Sequence, residues 1–220
     1  MKIIIACSKE WFVLDENIKT QNDVICINEN SHLSKSFLDT IRPDFIFFPH
    51  WNWHIKKEIY ENFECVIFHT APLPYGRGGT PIQNLILKGF EKAPVCALRV
   101  TSDYDAGPIF AKKIISLKGS LTKIFNRINV STNKLIIEII QNMPTPVPQK
   151  GKVYNFNRRI EADNEVQPDI DINGFFDLIR MLDEPSYPKS FLIFGNLRIE
   201  FSDATMDGDT LNALCRIKRC

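Results

Sequence analysis

Two residues in this chain, a histidine and an aspartate that each follow an apolar run, are of the types that carry acid–base chemistry. Residues 64–68 form a β-like run that leads into His69, and a loop rich in proline and glycine follows. Asp105 lies in a second turn, at residues 103–107. A carboxylate beside an imidazole favours the charged ring and orients it. Such a pair suits proton transfer from an attacking amine and stabilisation of an oxyanion.

Each of these features also has a purely structural explanation. A single histidine at a strand end is more often a hydrogen-bonded structural residue, and the aspartate of an Asp-Ala-Gly turn usually stabilises the turn itself. The glycine-rich segment at residues 77–79 is a weak signal when taken alone. Their occurrence together, in this order, favours the functional interpretation.

The elements that must position His69 and Asp105 alternate between strands and helices. The sequence predicts strands at residues 2–7, 23–28, 44–49, 65–69, 94–101 and 107–115, and helices at 31–41, 55–63 and 81–90. This alternation favours an α/β domain with a parallel or mixed sheet that is covered on both faces. Ligands of such sheets bind at the carboxyl ends of the strands, where His69 lies. If strand 94–101 is its neighbour, Asp105 can reach the imidazole.

A long helix and a proline-rich linker separate this α/β domain from the C-terminal part of the chain. Apolar residues recur at helical spacing over residues 121–143, and three prolines follow at residues 144–148. Beyond them the sequence predicts a helix at 174–182, a β-hairpin with a Gly-Asn turn at 195–196 and a weak element at 211–218. The predicted domains are therefore residues 1–150 and a small α+β module at residues 151–220.

The composition excludes several classes of protein. The chain has 220 residues, a net charge of +1 and six cysteines without a C-x-x-C pair. A near-neutral charge argues against a general polyanion-binding surface, and scattered cysteines argue against a disulfide framework or a zinc cluster. No apolar stretch reaches 18 residues, so we expect a soluble cytoplasmic protein without membrane contacts. The first strand is not followed by G-x-G-x-x-G, which makes dinucleotide binding improbable.

The segment from His69 to Gln83, together with residues 105–109, resembles the 10-formyltetrahydrofolate-dependent formyltransferases. The residues that match the family pattern are His69, Leu73, Pro74, Arg77, Gly78, Pro81, Asp105 and Gly107. Residues 176–182 and 187–191 resemble the small domain that follows the catalytic one in this family. The resemblance covers residues 45–205 and implies a Rossmann-like formyltransferase catalytic domain with a mostly parallel sheet, followed by that module.

The form of the loop is similar to that of small bacterial sugar N-formyltransferases in nonulosonic (pseudaminic-type) acid pathways. The resemblance implies transfer of a formyl group from 10-formyltetrahydrofolate, without a metal, to a nucleotide-linked amino sugar for surface glycan synthesis. Another amine acceptor, such as a carrier-bound amino acid or tRNA, and an inactive folate- or sugar-binding relative are the alternatives. The short C-terminal segment and near-neutral charge argue against nucleic acid as a partner, and a homodimer stays open.

The resemblance also implies roles for individual residues. His69 would stabilise the oxyanion, and Asp105 would hold its ring in the useful charge state. One departure is that Ile67 stands where the family has asparagine, which removes a hydrogen-bond donor. Loss of such a donor costs about 10²–10³-fold in rate. Asn52, which follows the preceding strand, is predicted to replace it.

The two substrates are expected on opposite sides of His69. The donor would lie between the ends of the strands at residues 45–49 and 95–101, and the residues predicted to bind it are Trp51, Leu73, Thr101, Ser102 and Tyr104. The residues predicted to bind the acceptor are Arg77, Gly78 and Arg158. Arginine is expected there because its planar fork matches the oxygens of phosphate.

Overall fold

The computed structural model describes residues 1–220 and divides into two compact units. The first comprises Met1–Arg77, Pro94–Ile115 and Ile128–Asn155, and the second comprises Gly78–Ala93, Ser116–Arg127 and Phe156–Cys220. The predicted boundary at residue 150 lies near the break after residue 155. The second unit also includes two segments from the predicted first domain.

The first unit is built on a mostly parallel sheet. The strands up to the C-terminal unit are β1 (Lys2–Ala6), β2 (Asp23–Ile27), β3 (Phe45–Phe48), β4 (Cys65–Thr70), β5 (Tyr75–Gly78), β6 (Lys92–Arg99), β7 (Ile109–Ser116) and β8 (Tyr154–Phe156). Six of them form one sheet in the order β2-β1-β3-β4-β6-β7, and β5 pairs with β8. The first four strands of this order run parallel. This arrangement confirms the predicted α/β class.

Continuous apolar runs explain why the central strands are buried on both faces. Ile3 and Ile4 in β1 and Phe47 and Phe48 in β3 are all completely buried. A strand of this kind, without polar alternation, is stable only where other elements cover both sides of the sheet. The edge strand β2 carries more exposed positions, as expected for a strand with one neighbour.

The helices of this region are α1 (Glu16–Gln21), α2 (Lys35–Ile41), α3 (Lys57–Tyr60), α4 (Pro81–Leu87) and α5 (Leu121–Asn142). Helix α2 begins after Ser34, whose side chain accepts from the Phe37 N–H, and ends at Arg42 in a left-handed conformation. The sequence did not predict α1, which is only six residues long and is capped by Asp15. Pro81 opens α4, as predicted.

Strand β6 runs antiparallel to β4, which changes the route by which Asp105 reaches His69. His69 pairs with Cys96 and Val66 pairs with Arg99, so the end of β6 lies beside the start of β4. The Val100 N–H donates to the Cys65 carbonyl at 2.9 Å. The expected neighbour of β4 is confirmed, but the expectation that His69 and Asp105 follow strand ends at the same edge of the sheet is wrong, because β6 ends at the opposite edge. The turn at residues 101–107 must fold back along the sheet to bring the carboxylate to the imidazole.

The second unit contains an antiparallel sheet and the helix α6 (Ile172–Arg180). Its strands are β9 (Ser190–Phe194), β10 (Leu197–Asp207) and β11 (Thr210–Arg219), in the order β11-β10-β9. The predicted hairpin at residues 195–196 is present, and the predicted weak final element is a ten-residue strand. Phe175 of α6 packs edge-on against Phe201, with ring centroids 5.0 Å apart. No helix combines the length and the apolar character needed to cross a membrane.

Candidate active site

His69 lies at the carboxyl end of β4 with its side chain only 8% exposed. Its Nδ1 is 3.3 Å from Oδ1 of Asp105, and its Nε2 is 2.7 Å from the carbonyl oxygen of Gly76. A neutral imidazole donates from only one nitrogen, whereas the protonated ring donates from both. Both ring nitrogens of His69 face oxygen atoms, and because a carbonyl oxygen only accepts, Nε2 is the donor to Gly76. The structure thus brings His69 and Asp105 together, as the sequence predicted.

The turn that carries Asp105 is held by a very close backbone approach. Asp105 itself has a left-handed backbone, with φ of 53°, and its side chain is 14% exposed. A Cβ atom on Gly107 would lie 1.8 Å from the Arg99 carbonyl oxygen, so only glycine fits there. The Arg99 N–H donates to the Pro108 carbonyl at 3.0 Å, which closes the turn. The spacing of aspartate and glycine is thereby explained by the geometry of the turn.

A glutamine that the sequence did not single out joins this turn to strand β5. Nε and Nη2 of Arg77 donate to Oε1 of Gln149, at 3.1 and 2.8 Å. Nε2 of Gln149 donates to the carbonyl oxygens of Asp105 and Gly107, at 2.7 and 2.9 Å. No pattern around residue 149 marks it as part of the site, because it follows a proline-rich segment without periodicity. Arg77, predicted to bind the acceptor, makes these contacts with Gln149.

A cavity lies beside Asp105, with an empty volume of about 460 Å³ including its open mouth. Its apolar lining includes Ile67, Leu98 and Val100, and its polar lining comes from the turn at residues 101–105. This is the composition of small-molecule sites, which are mostly apolar with a few placed polar groups. Three of the predicted donor residues, Thr101, Ser102 and Tyr104, line it.

Aromatic residues that the sequence analysis did not select also line this cavity. They are Trp53 and His54, and the hydroxyl of Tyr104 lies 3.3 Å from Nδ1 of His54. Trp53 is 42% exposed and Tyr104 is 73% exposed. Exposed aromatic faces beside an apolar cavity provide surfaces on which a flat ring can stack. The cluster of Trp and His at residues 50–54 was the signal that could have identified them.

Other predicted residues lie outside the lining of this cavity. Asn52 is exposed, whereas Ile67, which it was predicted to compensate for, lines the cavity. Trp51 packs against Phe48 and Trp53, with centroids 5.9 and 4.8 Å away. Leu73 is partly buried in the loop after β4. The structure therefore does not bring Asn52, Trp51 or Leu73 to the cavity.

Two residues predicted to bind the acceptor belong to the second unit. Arg158 is exposed there, and a Cβ atom on the neighbouring Gly79 would lie 2.5 Å from the Arg158 Cβ. Gly78 has φ of 93°, and a Cβ atom on it would lie 2.8 Å from the Phe156 carbonyl oxygen. Both glycines are thus explained by backbone packing within that unit.

A second histidine, His50, lies in the loop after β3 in an apolar setting. Its ring packs against Trp11, with centroids 4.2 Å apart, and its Nε2 is enclosed without a hydrogen-bond partner. Burial lowers the pKa of His50 to about 4, with a smaller contribution from Lys9. This imidazole is therefore neutral at physiological pH. The structure contains no cluster of three or more histidine, cysteine or acidic side chains that would hold a metal ion.

The comparisons with known proteins identify the family. A family model described as methionyl-tRNA formyltransferase, C-terminal domain, matches residues 161–218. The solved structure of methionyl-tRNA formyltransferase from Clostridium thermocellum is similar over the whole of both chains, with 38% identity and a TM-score of 0.94. The chain belongs to the formyltransferase family. The catalytic fold and the C-terminal module that the sequence resemblance implied are both present.

The wider formyltransferase comparisons include different acceptors. Methionyl-tRNA formyltransferase from Wolbachia pipientis subsp. Culex pipiens is 23% identical over 82% of this chain, which spans 60% of that relative's length. The formyltransferase PseJ from Anoxybacillus kamchatkensis, solved with UDP-4,6-dideoxy-4-formamido-L-AltNAc and tetrahydrofolate, is 19% identical with a TM-score of 0.59. The PseJ match covers 71% of this chain and 85% of PseJ, and at this identity it reflects a shared fold. The predicted closeness to sugar formyltransferases and the predicted absence of a nucleic-acid partner are not supported by these matches.

Proposed function

We propose that this chain transfers a formyl group from 10-formyltetrahydrofolate to a primary amine. The observation that carries the proposal is the buried pair of His69 and Asp105, 3.3 Å apart, beside a cavity with an apolar lining. Membership of the formyltransferase family supports the same conclusion. A buried imidazole with a carboxylate on one nitrogen is an arrangement that stabilises developing negative charge.

The cavity beside Asp105 suits the pteridine end of the donor. Ile67, Leu98 and Val100 offer apolar surface to a flat ring, and the backbone at residues 101–104 offers hydrogen-bonding groups to its edges. The donor, when bound, supplies a formyl carbon that is open to attack by an amine. The residues present therefore fit this co-substrate, and the cavity needs no metal ion for that fit.

His69 would act on the charge that develops during the transfer. An N–H of the ring stabilises an oxyanion as a hydrogen-bond donor, and the Asp105 carboxylate beside Nδ1 orients the ring. In this structure Nε2 donates to the Gly76 carbonyl. A substrate oxygen would share this N–H with the Gly76 carbonyl as a second acceptor. Ile67 offers no donor of its own, so His69 and backbone N–H groups carry the stabilisation.

The acceptor that we favour is the amino group of methionyl-tRNA. The support comes from the family model over residues 161–218 and from the names of the similar curated and solved proteins. The second candidate is a nucleotide-linked amino sugar. A net charge of +1 favours this smaller acceptor, because tRNA binding usually relies on an excess of basic residues.

A direct assay tests the proposal and separates the two acceptors. Purified protein is incubated with 10-formyltetrahydrofolate and either methionyl-tRNA or a panel of nucleotide-linked amino sugars, and the release of tetrahydrofolate is measured. We expect one acceptor class to be formylated, and failure with both would refute the proposed function.

The role of His69 is tested with a matched histidine control. His69→Ala should lower the rate at least 10²-fold, since removal of a group that stabilises an oxyanion has effects of this order. His32→Ala, at an exposed histidine, should keep the wild-type rate. Circular dichroism shows whether both variants are folded, and near-full turnover of folded His69→Ala would exclude the assigned role.

A further inference from the structure

The side-chain amide of Gln149 uses its complete hydrogen-bonding capacity between strand β5 and the Asp105 turn, which both contact His69. An amide oxygen accepts two hydrogen bonds and its NH₂ group donates two. Oε1 accepts both of its bonds from Arg77, and Nε2 donates both of its bonds, to Asp105 and Gly107. The chemistry of the partners determines this orientation, because a guanidinium only donates and a carbonyl only accepts. The amide cannot be flipped without losing all four bonds.

The surroundings of Gln149 show that its inward position is specific. The neighbours Val147, Pro148 and Lys150 are exposed, whereas Gln149 is partly buried. The segment is anchored beside β7 by a pair of backbone hydrogen bonds between Ile109 and Val147, at 2.8 and 2.9 Å. This backbone pairing beside β7 therefore places the Gln149 side chain at the site.

Each partner of Gln149 either contacts the His69 ring itself, as Asp105 does, or lies within two residues of a group that does. Arg77 directly follows Gly76, whose carbonyl accepts from Nε2. The Asp105 carbonyl that accepts from Gln149 belongs to the residue whose carboxylate faces Nδ1. The Gly76 carbonyl and the Asp105 carboxylate, which face the two ring nitrogens of His69, are therefore connected to each other through a single amide. Bonds from a charged guanidinium are stronger than neutral ones, which makes this link stiff.

We propose that Gln149 is a positioning residue that holds strand β5, at Gly76, and the Asp105 turn on the two ring nitrogens of His69. The catalytic consequence depends on the proposed formyl transfer, but the hydrogen-bonding state of His69 does not. Without the amide, β5 and the Asp105 turn are no longer tied to each other and each can shift relative to the ring. A displacement of about 1 Å in a catalytic group lowers the rate by roughly 10²-fold.

Three variants of the link are expected to behave differently. Gln149→Leu removes all four bonds. Gln149→Glu still accepts from Arg77 but turns a carboxylate oxygen toward the carbonyls of Asp105 and Gly107, which repels them. Arg77→Met breaks only the side that leads to Gly76. Gln141→Leu, at an exposed glutamine near the end of α5, is the matched control.

The decisive measurement is the ¹⁵N spectrum of the histidine ring nitrogens, recorded on the full chain without substrate. Gln149→Leu and Gln149→Glu should shift both His69 resonances at fixed pH, Arg77→Met should shift chiefly Nε2, and Gln141→Leu should shift neither. Unchanged His69 resonances in a folded Gln149→Glu or Arg77→Met would overturn the proposal, even if Gln149→Leu fails to fold.

Kinetics provide the second readout once an acceptor is known. Gln149→Leu should lower kcat roughly 10²-fold and change KM for the formyl donor by a smaller factor, because Ile67 and Leu98 of the donor cavity lie on β4 and β6 and stay in place. An equal loss through KM alone would contradict a positioning role. If the wild-type chain formylates no acceptor, the proposed function fails, and the ¹⁵N spectra still decide the inference about Gln149.

Discussion

Replacement of Gly107 by alanine tests whether the close backbone approach in the Asp105 turn organises the site. The added Cβ would lie 1.8 Å from the Arg99 carbonyl oxygen, and real Cβ atoms stay at least 3.0 Å from such atoms. The turn and the carbonyl must therefore separate by at least 1.2 Å, the difference between these two distances. Neither side can yield easily, because Arg99 is in β6 and the Gly107 carbonyl is held by Gln149.

This displacement sets the expected magnitudes for Gly107→Ala. Overpacking of a tight site costs about 1–3 kcal/mol of unfolding free energy. Asp105 is two residues away in the same turn, so its carboxylate should move from Nδ1 of His69 by a comparable distance. A misplacement of about 1 Å lowers the rate by roughly 10²-fold. We therefore expect a modest loss of stability and a much larger loss of activity.

Urea unfolding and kcat/KM for formyl transfer, measured on the same preparations, check this expectation. Gly174→Ala in α6 is the control, because its Cβ would approach only side-chain atoms, at 3.2 Å or more. The reasoning is refuted if Gly107→Ala retains both wild-type stability and wild-type kcat/KM. A crystal structure of the variant would show whether the turn moves by the required distance.

The other predictions concern groups away from the Asp105 turn. Because burial lowers the pKa of His50 to about 4, its contribution to stability is complete above pH 6.5 and falls by roughly 3 kcal/mol as the pH drops toward 4. Urea unfolding at pH 7.5 and 4.5 measures this, and His50→Phe should show a smaller pH dependence; an equal dependence would contradict the assignment. Burial also raises the pKa of the Cys65 thiol, so a thiol reagent should modify exposed Cys26, Cys215 and Cys220 quickly and Cys65 only after unfolding. Mass spectrometry of the labelled peptides checks this, and early labelling of Cys65 would show that its strand is not buried.

Much of the catalytic fold was predictable because local patterns report burial directly. The apolar runs of β1 and β3 read as strands buried on both faces, and they are completely covered in the structure. The Gly-Asn turn at residues 195–196 predicted the β9–β10 hairpin for the same local reason. The elements α1 and β5 were missed because neither carries an apolar pattern: α1 buries only Ile18, and β5 lies in the glycine-rich segment.

The candidate site was only partly predictable. His69 and Asp105 were identified because motif spacing along the chain is a sequence property. Gln149 was missed and Asn52 was favoured, because nothing in the local sequence tells which side chain of an irregular loop turns toward a distant turn.

The amino-acid sequence by itself determined the strand and helix order, the buried β-strands, and the pair of residues suited to acid–base chemistry. Only the tertiary structure decided that β6 runs antiparallel to β4, that the Asp105 turn and Ile67 line one cavity, and that the Gly76 carbonyl accepts from the second nitrogen of His69. The physical reason is that residue type and spacing control local conformation and burial, whereas hydrogen bonds between segments far apart in the chain depend on strand direction and loop path.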